Sequence, residues 1–160
     1  MTLNSLSEAL WHERRLLELL LFKLEEEQLV LTSGRSRWLA QATREVESVL
    51  DEIRSAEIAR AVEAEAVAAT LGLDGGASLA ELAAAAPAPW DELLRTHRDA
   101  FASLTSEIGR MADDNRELLA LSHRATQETL ASLEHSVRTY DETGQRRTES
   151  LGAQLLDRSI

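Results

Sequence analysis

The chain has 160 residues, with two prolines, seven glycines, no cysteine and a net charge of −11 at pH 7. That length suits one domain with a core of its own, and the missing thiols exclude disulfides and thiolate chemistry. The acidic balance argues against nucleic acid and anionic bilayers as partners, because binding to phosphate groups requires a basic patch.

No apolar run approaches the roughly 20 residues of a membrane span, so stable membrane insertion is not expected. The N-terminus has no basic stretch followed by an apolar core, and Arg14 and Arg15 come too late for a secretory signal. The cytoplasm is the expected compartment. Abundant Ala, Leu, Glu and Arg, with little strand-forming material, predict an all-α protein.

Leucines at Leu3, Leu10, Leu17, Leu24 and Leu31 recur at seven-residue intervals, with Leu6 and Leu20 between them. Such a repeat predicts a first helix wound against long neighbours. Ser5 or Ser7 is the expected cap, and Thr32, Ser33 and Gly34 stop the helix. Leu16, Leu19, Leu21 and Phe22 crowd other faces of the same turns, which a central position between two helices explains.

Ser36 is the expected cap of a second helix starting at Arg37 or Trp38, and the short linker makes the two helices antiparallel neighbours. Leu39, Ala42, Val46, Val49, Ile53 and Ala56 form its stripe. Arg60 and Glu63 then occupy seam positions before Val67, where looser packing is expected. The run from Leu71 to Gly76 breaks the chain. A miniature helix follows, with Ser78 and Glu81 at capping-box spacing and Pro87 and Pro89 as its stop.

The third long helix carries Trp90, Leu94, His97, Phe101, Leu104, Ile108, Met111, Asn115, Leu118, Ser122, Ala125 and Thr129 at steps of four and three. Some forty residues give a rod of about 60 Å. The expected architecture is an antiparallel bundle of three long helices with a short connecting helix and a mobile C-terminal tail. The bundle takes residues 1–136, and 137–160 are read as a flexible amphipathic tail, because the register fades after His135.

The residues carry little catalytic chemistry. No Glu-x-x-His pair builds a di-iron site, and His12, His97, His123 and His135 are too far apart for a zinc-binding helix. In Trp11-His12-Glu13-Arg14-Arg15 the second histidine of a zinc protease is replaced by Leu16. Gly72 to Gly76 lacks the lysine and preceding strand of a phosphate loop. No catalytic residue, metal ligand or cofactor site is assigned. His97 reads as a hydrogen-bonded core residue, and Glu25, Glu26 and Glu27 as a solvated face. Asn115 reads as a buried residue that fixes helix register. Trp11, Trp38 and Trp90 read as caps on the core, or as interface anchors where exposed.

Five stretches occur in a meaningful order: Leu10-Trp11-His12-Glu13-Arg14-Arg15-Leu16-Leu17-Glu18-Leu19-Leu20-Leu21-Phe22-Lys23, Gly34-Arg35-Ser36-Arg37-Trp38-Leu39, Glu45-Val46-Glu47-Ser48-Val49-Leu50, Pro87-Ala88-Pro89-Trp90 and Asn115-Arg116-Glu117-Leu118-Leu119. Together they resemble the FlgN-like flagellar export chaperones, particularly their actinobacterial branch, over roughly Leu6 to Leu133. The resemblance implies a small acidic cytoplasmic chaperone of the flagellar type III export system. Such a protein binds hook-associated junction proteins, keeps them from assembling early and delivers them to the export apparatus, with no catalysis or ATP binding of its own. It also implies partner contacts toward the C-terminal part, where Tyr140 is a candidate.

An amphipathic client segment would pack on an apolar helical strip. The expected strip comprises Leu118, Leu119, Leu130, Leu133 and Val137, joined by Tyr140, Leu151 and Leu155. The chain itself is expected to be a monomer or weak homodimer. A structural or adaptor coiled coil that pairs with its own copy is the alternative. A small Trp-x-Gly secretion factor is disfavoured, since its tripeptide is missing.

Overall fold

The structure is a computed structural model that describes the backbone of residues 2–142 and the side chains of residues 3–139. Among the described residues four α-helices follow one another: α1 (Thr2–Ser33), α2 (Leu39–Thr70), α3 (Leu79–Ala85) and α4 (Trp90–Glu142), with a 3-10 turn at Ser36–Trp38. Among the described residues no strand occurs, so the all-α reading holds. The described chain divides after Leu118 into two units, the first being Met1–Leu118 and the second beginning at Leu119. Of the tail expected at 137–160, residues 137–142 continue α4 instead, because the helix runs on past the point where the core stripe fades, and from residue 143 the tail lies outside the described residues.

The first unit is an up-down-up bundle whose core falls into two clusters. In one, Leu6 and Leu10 of α1 meet Val67 and Ala68 of α2, Leu82 and Ala83 of α3, and Leu94 of α4. In the other, Leu16, Leu20 and Leu24 meet Val46, Val49, Ile53 and Ala56, with Ile108 and Met111 of α4 against them. The start of α1 thus packs on the end of α2 and the start of α4, which fixes the directions. As expected from the leucine surplus, Leu16 is buried, but Leu19 and Phe22 are exposed.

Several helix ends differ from the sequence expectations. α1 begins at Thr2, so Ser5 and Ser7 are not caps, and Ser7 is buried in the bundle. Starting earlier brings Leu3 onto the first cluster. Ser36 opens the 3-10 turn instead of capping α2, which begins at Leu39 without a side-chain cap. Gly34, at φ 70°, ends α1 as expected.

α2 closes with a Schellman motif. Gly72 sits at φ 71°, its N–H donates to the Ala69 carbonyl at 3.3 Å, and the Leu73 N–H donates to that of Ala68 at 2.9 Å. The expected capping box on α3 is complete: Glu81 N–H donates to Ser78 Oγ at 3.2 Å, and Ser78 N–H donates to Glu81 Oε2 at 2.7 Å. Leu82 and Ala83 are thereby seated in the core.

Candidate functional site

Between the two apolar clusters lies a layer of polar side chains. Glu13 of α1 is 4% exposed and faces Arg60 of α2, with Nε and Oε2 2.8 Å apart at angles that fall short of a hydrogen bond. Burial raises the Glu13 carboxyl above its ordinary value, Arg60 pulls it down, and Glu57 adds to the rise. Arg60 also lies over the Phe101 ring, 5.7 Å from its centroid.

His97 of α4 is 1% exposed and meets Trp11 edge-on at 4.7 Å between ring centroids. The expected hydrogen bonds are absent: neither ring nitrogen has a partner among the described residues. Its surroundings are the rings of Trp11 and Phe101, which offer no acceptor. Burial, and then the charge of Arg14, lower its pKa.

A second polar contact set ties the helices near Leu24. Asn115 Nδ2 donates to the Leu24 carbonyl at 2.8 Å and to Glu27 Oε1 at 3.1 Å, while Thr43 Oγ1 donates to Glu27 Oε2 at 3.1 Å. Lys23 bridges α1 and α2 by pairing with Glu45 at 3.0 Å. Asn115 therefore stands where a register-setting residue should. Glu27 corrects the reading of a wholly solvated carboxylate run, since it is half-buried and engaged by α2 and α4.

Glu13 and Glu27 are the residues that reading by residue type missed. The signal was in the spacing: Leu6, Glu13, Leu20 and Glu27 are seven apart, so both glutamates continue the inward row. Of the tryptophans, only Trp90 packs on a core cluster; Trp11 and Trp38 are exposed. Trp11 stands further from the start of α1 than expected, since that helix begins at Thr2.

The expected partner strip divides. Leu118 is half-buried in the first unit. In the second unit Leu119, Leu130, Leu133 and Val137 are exposed, Leu130 at 56% and Leu133 at 54%. At 3.6 residues per turn these four lie within an arc of about 60°, along about 27 Å of helix. His123 and Thr126 fall on the same side, whereas Leu121 is on the opposite one. The Tyr140 side chain, Leu151 and Leu155 lie outside the described residues.

Such a strip offers apolar area, with His123 and Thr126 beside it. Its fitting ligand is the apolar face of another helix. Among the described residues, no group of three His, Asp or Glu side chains converges as metal ligands, and no helix is long and apolar enough to cross a membrane.

Neither a curated protein nor a solved structure matches the chain. The family model described as FlgN protein matches residues 1–148, and the chain therefore belongs to the FlgN family, whose members are flagellar export chaperones that bind flagellar proteins.

Proposed function

We propose that the protein is a cytoplasmic chaperone for hook-associated flagellar junction proteins. It holds them before secretion, prevents premature assembly and delivers them to the flagellar type III export apparatus. The observation that supports this reading is the strip of Leu119, Leu130, Leu133 and Val137, exposed on one face of α4. A client's amphipathic segment would cover it, with the residues beyond Val137 adding Tyr140, Leu151 and Leu155.

Calorimetric titration with a purified hook-associated protein tests the strip. Leu130→Asp with Leu133→Asp should weaken binding tenfold or more, while stability moves by no more than about 0.5 kcal/mol, as for most exposed positions. Ending the chain before Thr139 should weaken binding further. Unchanged affinity in the shortened chain removes the tail from the site, and unchanged affinity in both rejects the reading.

Self-association is the second reading, favoured by Trp11, Leu19, Phe22 and Leu29, all exposed on α1. They lie within an arc of about 80°. Light scattering over a concentration series, with Phe22→Glu as control, separates a monomeric chaperone from a weak homodimer.

A further inference from the structure

Within the first unit, a cavity of about 270 Å³ opens to solvent between α1, α2 and the residues leading into α3. Leu6, Leu10 and Leu82 line its apolar depth, and all three are buried. Alanines at 61, 64 and 77 form the walls, and their small side chains leave the space. One wall is held by a carboxylate. Gly76 N–H donates to Glu65 Oε1 at 2.7 Å, and a Cβ on Gly75 would stand 3.2 Å from Glu65 Oε2. The glycine-rich turn thus lies close against α2. Nearby on α2, Ile58 and Val62 are 69% and 64% exposed.

The lining itself carries one base, Arg60, and one acid, Glu65, and the segment around it is predominantly acidic. Through residues 55–86 the acidic residues are Glu57, Glu63, Glu65, Asp74 and Glu81, and Arg60 is the only base. Arg60 is already paired with Glu13. Glu57 stands one turn before Ala61, and its charge reaches Glu13, whose carboxyl it pushes up. A cavity with apolar depth and an acidic rim attracts cationic groups and repels anionic ones.

We propose that this cavity is a docking site for a basic amphipathic segment of a partner protein. One large apolar side chain enters between Ala61, Ala64 and Leu82, while flanking Lys or Arg residues face Glu57 and Glu65. The rim disfavours an acidic helix or an anionic headgroup. The surface shares no residue with the strip at 119–137.

The test uses the full chain with methyl-labelled Ala and Leu. The probe is a leucine–lysine amphipathic peptide of about 14 residues, roughly four turns. The control carries glutamate in place of lysine. The lysine peptide should shift the methyl signals of Ala61, Ala64, Leu79 and Leu82. Ala64→Phe, which fills the cavity without changing charge, should weaken binding tenfold or more, and Glu57→Lys several-fold. Ala61→Trp covers the mouth from an exposed position, which serves if Ala64→Phe disturbs the fold. The proposal is overturned by absence of binding, by shifts confined to 119–137, by equal binding of the glutamate peptide, or by a folded Ala64→Phe or Ala61→Trp variant that binds as tightly as the parent.

Discussion

Glu13 and His97 respond to pH in opposite senses. Between the ordinary histidine value of 6.5 and its lowered folded value, the unfolded chain holds more protons at His97 than the folded one. Stability therefore falls as pH drops through that window. Glu13 has a raised pKa, so its contribution is present below the ordinary carboxylate value of 4.5 and fades as pH climbs through the raised value. His97→Leu removes two unpartnered buried nitrogens and also the edge-on contact with Trp11. These effects oppose each other, so its stability at about pH 7.5 should lie within about 1 kcal/mol of the parent, with the histidine-linked loss toward about pH 5.5 abolished. Urea unfolding at the two pH values checks this. Arg60→Ala leaves Glu13 buried without its partner, which should cost about 2 kcal/mol. That is below the 3–5 kcal/mol of a wholly buried pair, because Arg60 keeps 34% of its side chain exposed. Replacing both, with Glu13→Leu and Arg60→Met, should recover most of that loss in the same measurement.

At the scale of the helices, caps decide where packing begins. Ser78→Ala removes the hydroxyl that accepts from Glu81 N–H and should cost about 1 kcal/mol, read as a lowered melting temperature, with Ser78→Thr close to the parent. This cap was legible in the sequence because both partners of the box lie within four residues. The caps expected at Ser5, Ser7 and Ser36 were not, since the same local signal competes with burial elsewhere. Extending α1 back to Thr2 places Leu3 against the first cluster, and that gain depends on α2 and α3, which no local window contains. The stripes on α2 and α4 were readable for the opposite reason. Periodic apolar residues such as Val46, Val49 and Ile53 state which face is covered before the covering helix is known.

In the whole molecule, every buried side chain among the described residues lies at or before Asn115. A chain ending at Leu118 should therefore unfold cooperatively within a few degrees of the full protein while losing client binding. Scanning calorimetry and titration on the same sample check both halves. The strip on α4 was visible in the sequence as leucines off the core stripe, although Leu118 belongs to the bundle side. The cavity beside Ala61 and Ala64 was not visible, because it is made by small residues from three elements meeting around a glycine turn.

The row Leu6, Glu13, Leu20 and Glu27 also restricts how α1 can align with its neighbours. A pure leucine repeat would permit sliding by one heptad with little change in what is buried. Here such a slip brings a leucine to Arg60 and sets Glu13 among Val67 and Leu94, or among Val49 and Ile53. An unpaired carboxylate in either place costs several kcal/mol. The two glutamates thus act as a parity mark: neighbouring alignments of the ladder are penalised.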